Sequence, residues 1–299
     1  MRTIVFINSH SRLAAQNIKL VKKFFAKPGS PFDVQDFIVV EDLSRFKDAL
    51  KKLQAAKDID CVIVGSGDGT IVAVLNALKK QKNMLYGFIP LGTTNGFVRS
   101  LGIPVMIKRS LSVLSKQHER HASLGRINDT LFANFADLGY PVQVVDNVTD
   151  KVKRYLGSFA YAVSGVRELA RHEPFWCEVE ANGKKASFQT HHLLIGNGRH
   201  RGLAVVDHGT SAYDDSLTIA YSTSLNRVEY LKDAFGFITR RPEKRAGVHF
   251  IYAKKATIRT KPDQPLQADG EIITTTPAHI RVLKDAIRVL APPSKRPGK

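Results

Sequence analysis

Acidic residues are scarce in this chain: 27 Asp and Glu stand against 45 Lys and Arg, a formal net charge of +18 with pI near 9.9 in 299 residues. Such an excess draws polyanions, whether nucleic acid, nucleotide phosphates or an anionic bilayer. Cysteine is almost missing. Cys61 and Cys177 lie in apolar runs without metal-ligand spacing, which excludes a disulfide framework and a zinc site and reads as two reduced core thiols. No run approaches the roughly 18–20 apolar residues of a membrane span, and Met1 leads into a β-run without a signal peptide's apolar core. The expectation is a soluble cytoplasmic protein. Ten histidines supply no H-E-x-x-H and no triad, and His191 and His192, which open a β-run, read as packing residues. No helix-turn-helix, zinc or RNA-binding signature accompanies the charge, so no specific nucleic acid is expected.

What is present is concentrated in two glycine loops. Cys61-Val62-Ile63-Val64 is an apolar β-run that feeds Gly65-Ser66-Gly67-Asp68-Gly69-Thr70, and a helical segment begins at once. Glycines let backbone approach an anion closely, and a new helix offers unpaired N–H groups and a favourable dipole. This is neither the dinucleotide G-x-G-x-x-G, because Thr70 stands at the last glycine, nor a Walker A loop, because no Lys-Ser/Thr pair closes it. An ordinary strand-to-helix turn would use the same residue types. Asp68 is the odd member: a carboxylate beside phosphates implies a divalent cation or a proton-transfer task. A second loop, Gly92-Thr93-Thr94-Asn95-Gly96, follows the apolar run Leu85–Pro90. Two such loops at the carboxyl ends of β-runs face the crevice where open α/β sheets bind ligands.

The first part alternates β-runs (3–8, 33–40, 60–65, 85–90) with helical periods (14–26, 43–55, 70–80, 95–101, 107–115). That alternation predicts an α/β nucleotide-binding domain with an open, mainly parallel sheet. From about Arg126 the texture becomes short alternating β-runs, such as 175–180, 217–221 and 249–253, interrupted by helical periods near 151–170 and 227–239. That predicts a β-rich, sandwich-like second domain. The expected boundaries are 1–124 and 125–285, and 43% hydrophobic content can fill both cores.

The two loops and their order resemble the diacylglycerol kinase catalytic-domain family, which includes soluble bacterial lipid kinases and sphingosine and ceramide kinases. Ser66-Gly67-Asp68-Gly69-Thr70 is similar to its G-G-D-G-T motif, and Pro90 through Arg99 to P-L-G-T-x-N-D-F-A-R. Ile4–Ser11, Phe132–Gly139, the basic stretch Lys151, Lys153, Arg154, the segments Ile195–Gly198 and Ala212–Leu217, and Asp269-Gly270-Glu271 follow in the family's order. Positions also depart from it: Ala73, Gly96, Ser216 and Arg201-Gly202-Leu203 replace family residues.

The resemblance implies a soluble lipid kinase that takes ATP and Mg2+, docks peripherally at an anionic membrane surface and phosphorylates a lipid hydroxyl in or beside the second domain. It also implies that the β-run 286–291 returns to the first domain. Gly65, Ser66, Gly67, Gly69, Thr70, Gly92, Thr93, Thr94 and Asn95 would hold the nucleotide, with Asn8 and Ser11 lining the site and Lys153 or Arg154 as cation clamps. An acceptor hydroxyl needs a base, and Asp269 is the first choice. Glu271 and Asp68 would hold magnesium, with the roles of Asp68 and Asp269 exchanged in some relatives. Asp215 is a candidate for a second magnesium away from the reacting phosphates, with Asp214 a turn residue. A hairpin turn with solvated acids is the competing reading of 269–271. A non-catalytic nucleotide or lipid sensor, an NAD kinase and a nucleic-acid module are the rival functions, and a homodimer stays open.

Overall fold

The computed structural model describes residues 1–81, 83–139, 173–197, 200–201, 204–205, 211–238 and 246–293. The chain divides into two compact units: Met1–Leu124 with Ser211–Asp214 and Leu283–Lys299, and Gly125–Thr210 with Asp215–Val282.

In the first unit, strands β1 (Arg2–Asn8), β2 (Asp33–Val40), β3 (Cys61–Ser66) and β4 (Leu85–Pro90) pair in the parallel order β2-β1-β3-β4. β3 and β4 are buried at every residue. That is why they read as unbroken apolar runs: in a parallel sheet helices cover both faces. The helices α1 (Ala14–Phe25), α2 (Phe46–Ala55), α3 (Asp68–Ala77), α4 (Gly96–Ser100) and α5 (Ile107–Ser115) connect these strands or follow the last of them. α1 turns Ala14, Val21 and Phe25 inward and carries Lys22 and Lys23 in its last turn, where cations complement the helix dipole. The expected helix 43–55 opens instead with a short 3-10 turn, Leu43–Arg45, because Asp42 accepts the Ser44 N–H and caps it. α4 is only five residues long. Gly102, at φ +75°, ends it, with Ile103 N–H donating to Val98 C=O and Gly102 N–H to Arg99 C=O, the paired bonds of a glycine C-cap.

Ser211–Asp214, expected in the second domain, belong to the first unit. Ser123 N–H donates to Ala212 C=O, the Tyr213 hydroxyl donates to Leu101 C=O at 2.9 Å, and the Arg120 guanidinium lies over the Tyr213 ring.

The second unit is built from antiparallel strands. Its first sheet takes β7 (Phe135–Gly139), β10 (His192–Gly196), β13 (Leu217–Ser222), β14 (Val248–Ala253), β16 (Pro265–Ala268) and β17 (Glu271–Thr275) in the order β14-β13-β10-β7-β16-β17. Its second set pairs β15 (Lys255–Lys261) with β8 (Phe175–Ala181), β8 with β9 (Lys184–Thr190), and β15 with residues 278–281 of β18 (Ala278–Leu290). Further along β18, Arg288 and Val289 pair in parallel with β4 in the first unit. β5 (Glu119–Ile127) and β6 (Thr130–Phe132) form a hairpin at 125–132. Alternate residues of both sets, among them Leu138, Leu193, Ile219 and Leu266 from one and Phe175, Val179, Ile258 and Ile280 from the other, make one buried cluster. Inward alternation from two facing sheets is the signature of a sandwich. The strand pair His200–Arg201 and Ala204–Val205 and the helix Arg227–Ile238 complete the described elements.

Candidate functional site

The carboxyl ends of β1, β3 and β4 bring three loops together. Asn8 ends β1, and its side-chain amide donates to Thr70 Oγ1 at 2.9 Å while its Oδ1 accepts the His10 N–H at 3.0 Å. The Ser11 and Ser66 hydroxyls lie 2.9 Å apart in a hydrogen bond, and Leu13 N–H donates to Leu91 C=O at 2.9 Å. Asn8, Ser11, Ser66 and Thr70, singled out in two separate stretches of sequence, form one hydrogen-bonded group, since Ser11 N–H donates to Asn8 C=O at 3.1 Å.

The two glycine loops touch backbone to backbone. A Cβ on Gly92 would sit 2.4 Å from Gly67 Cα and 3.0 Å from Asn95 Oδ1, so only glycine fits there. Asn95, at φ +49°, closes its loop from within: its Oδ1 accepts the Gly92 N–H and its Nδ2 donates to Gly92 C=O. Asn tolerates that left-handed backbone better than most residues. The Gly65 position is similarly tight against Ile7. Gly69, Thr93 and Thr94 are exposed, and no side chain caps the start of α3. The outer edge of this double loop thus presents exposed backbone and the Thr93 and Thr94 hydroxyls.

Asp68 joins the loops. Gly96 N–H donates to its Oδ2 and Phe97 N–H to its Oδ1, both at 2.9 Å. One carboxylate in the first turn of α3 thus meets the first N–H groups of α4, whose own N-cap residue makes no side-chain cap bond. A carboxylate at a helix N-terminus offsets both the orphan donors and the dipole. The role the sequence did not suggest for Asp68 is this structural tie.

In the second unit Asp269-Gly270 is the two-residue turn joining β16 to β17, with φ +47° and +98°. Both values being positive is what the tight hairpin turn with matching twist requires, and Asp-Gly is a preferred pair for it. Asp269 is not a solvated turn acid. Its carboxylate accepts the backbone N–H groups of Ala133 at 2.6 Å, Asn134 at 3.0 Å and Phe135 at 3.3 Å, and its own N–H donates to Phe135 C=O at 2.8 Å. Asn197 fastens the same segment, donating from Nδ2 to Ala133 C=O and from its N–H to Asn134 C=O. Asn134 Oδ1 is buried without a hydrogen-bond partner among the described residues. Residues 133–135 orient Asp269 and Asn197 holds them, two positions in the chain noted in the sequence only by resemblance. Glu271 opens β17 and is exposed.

Among the described residues no three His, Cys, Asp or Glu side chains could hold a metal ion together. Asp68 commits both oxygens to backbone donors, and Asp215 Oδ2 faces the Lys254 ammonium at 2.6 Å. No step is routed through a metal. Asp214 accepts the Ser211 N–H and returns its own to Ser211 C=O, a turn residue. Lys153, Arg154 and Gly198 lie outside the described residues. Cys61 and Cys177 are buried, and desolvation pushes each thiol up to about 12, so both are inert core groups.

Both halves of the chain match known families. Residues 2–127 match the diacylglycerol kinase catalytic domain, and residues 137–291 match the YegS C-terminal NAD kinase beta sandwich-like domain. The chain belongs to the diacylglycerol kinase catalytic-domain family. A protein of Staphylococcus carnosus named "Putative lipid kinase" is 27% identical over 252 residues, 83% of this chain and 82% of the relative. The crystal structure of a diacylglycerol kinase from Bacillus anthracis is similar with a TM-score of 0.78 at 22% identity, over 98% of this chain and 97% of that one. An NAD kinase from Archaeoglobus fulgidus in complex with ATP has a TM-score of 0.52 at 11% identity, over 97% of this chain and 92% of that one. Both structural likenesses are of fold.

Proposed function

We propose that this chain is an ATP-dependent lipid kinase working at an anionic membrane surface. The observation that carries the reading is the double glycine loop locked by Asp68, in a chain whose two halves match the family's two domains in order. Phosphoryl transfer asks a protein mainly to position groups and stabilise charge. The N–H groups of 67–70 and 93–95, with the hydroxyls of Thr70, Thr93 and Thr94, would hold the nucleotide's phosphates. Asp269, fixed by three backbone donors, would take the proton of the lipid hydroxyl as its oxygen bonds to the γ-phosphorus and the bond to the β-phosphate breaks, releasing ADP. Glu271 stands beside it at the turn.

A nucleotide or lipid sensor of the same fold is the second reading. It is favoured by the commitment of Asp68 to backbone donors and of Asp215 to Lys254. Labelled ATP with magnesium, offered with diacylglycerols, sphingoid bases and NAD, separates these readings. The kinase reading expects phosphorylated lipid from the wild type and a loss of roughly a hundredfold or more in Asp269→Asn, the scale of one acid–base group, with ATP binding retained. ATP binding without turnover of any acceptor would establish the sensor. Phosphorylated NAD would establish the third class. Equal rates for wild type and Asp269→Asn would remove Asp269 from the chemistry.

A further inference from the structure

The outward face of strands β15 and β18 carries a charge arrangement that the kinase reading does not use. Lys255 and Arg281 are directly opposite each other in the antiparallel register, and the next outward pair is Thr257 and His279. Like charges facing each other across a strand pair destabilise a sheet. Neither cation has an ion-pair partner among the described residues, because the nearby acids are engaged elsewhere. Glu180 and Glu178 both accept from Arg259 at 3.2 Å, and Asp129 pairs with Arg126 at 2.8 Å.

This repulsive pair borders a cavity of about 540 Å³ that Arg126, Asn128, Glu180 and His279 also line. The frame around it is tied down. Asn128 N–H donates to His279 C=O at 2.8 Å, His279 N–H donates back to Asn128 Oδ1 at 3.1 Å, and the His279 ring meets Thr257 Oγ1 at 3.1 Å. The volume is in the range of small-molecule sites. It is lined by Lys255, Arg281 and an Arg126 already paired with Asp129, against one carboxylate, Glu180, that is engaged by Arg259. A guanidinium fork with a neighbouring ammonium is the donor set that suits phosphate oxygens.

We infer that this cavity binds a phosphate monoester, carried either by a lipid such as phosphatidate or by a soluble molecule such as glycerol phosphate. The bound dianion sits between Lys255 and Arg281 and turns their repulsion into a shared attraction. The cavity lies wholly in the second unit and shares no residue with the glycine loops, Asp269 or Glu271, so it stands or falls independently of the phosphoryl-transfer reading.

The test uses the full chain with glycerol 3-phosphate followed by calorimetry, and with phosphatidylcholine vesicles with and without phosphatidate followed by sedimentation. The variant pair is Lys255→Gln with Arg281→Gln; Lys27→Gln with Lys57→Gln, also exposed, removes the same charge elsewhere. The pocket predicts saturable binding by the wild type, about tenfold weaker in K255Q/R281Q and within about twofold in K27Q/K57Q, the contrast between two cations converging on one ligand and diffuse charge. Binding of phosphatidate vesicles that free glycerol phosphate does not compete away assigns the ligand to the bilayer; competition assigns it to the soluble pool. Equal weakening in both variants, or no binding of either probe by the wild type, overturns the proposal. Melting gives a second readout should the double variant fold poorly. In phosphate-free buffer K255Q alone melts no lower than wild type, and glycerol phosphate raises the wild-type midpoint but not that of K255Q.

Discussion

Gly92 has no room for a methyl group, because its Cβ would meet Gly67 Cα at 2.4 Å and that neighbour is backbone rather than a side chain able to swing away. Gly92→Ala is expected to cost about 1–3 kcal/mol, the usual range for overpacking, read as a lower urea midpoint, and to abolish nucleotide binding. Asp68→Asn tests the tie between the loops. An amide keeps one acceptor oxygen, so one of the Gly96 and Phe97 donors loses its partner, at about 1–3 kcal/mol for a buried group left unsatisfied. A denaturant midpoint equal to wild type would show that the tie carries no stability. The two thiols make a pH prediction with a definite sign. Burial raises each from 9.0 to about 12. The unfolded chain therefore loses protons that the folded chain keeps, and the contribution to stability present below pH 9 declines as pH climbs from 9 toward 12. The Tyr213 phenol, also raised to about 12 by burial and lowered only in part by Arg120, adds to the same decline. Thermal melts across that window should fall, and Cys61→Ala with Cys177→Ala should flatten the slope.

The Asp269-Gly270 hairpin is the element where conformation and chemistry meet. Gly270 sits at φ +98°, and a Cβ added there would have nothing within 4 Å of it, so Gly270→Ala costs only backbone strain, about 1 kcal/mol. Urea unfolding should show that loss while the β16–β17 register and the Asp269 contacts persist; a loss several times larger would mean that the turn is coupled to more than its own backbone. Asp-Gly as a hairpin turn was legible in the sequence, since both residues tolerate positive φ. That the carboxylate collects three N–H groups from residues 133–135, more than 130 positions away, was not legible, because no local pattern records which distant backbone runs past a turn. α3 and α4 repeat the lesson. Their starts were marked by glycines, but Asp68 looked like a metal or proton-transfer residue until the N–H groups of Gly96 and Phe97 were found against it.

At the scale of the whole molecule the charge of +18 predicts a salt-dependent affinity for anionic surfaces. No helix among the described residues is long and apolar enough to cross a membrane. Vesicles containing phosphatidylglycerol should retain the chain at low ionic strength and release it as salt shortens the screening length, while neutral vesicles should not retain it. Retention on neutral vesicles that is insensitive to salt would instead point to exposed apolar groups such as Val228 and Leu231 on the helix Arg227–Ile238.

Periodicity and turn chemistry alone specified an α/β half with parallel strands, a β-rich half and the glycine loops, because burial on both faces leaves unbroken apolar runs and tight backbone leaves glycine. Tertiary structure alone decided which polar groups meet. It joined Asn8 to Thr70 and Ser11 to Ser66, set the Asp68 carboxylate against the Gly96 and Phe97 N–H groups, gave Asp215 a lysine for a partner, and set Lys255 against Arg281. A side chain's partner is set by strand register and by loops distant along the chain, and neither is written into the residues on its own side of the contact.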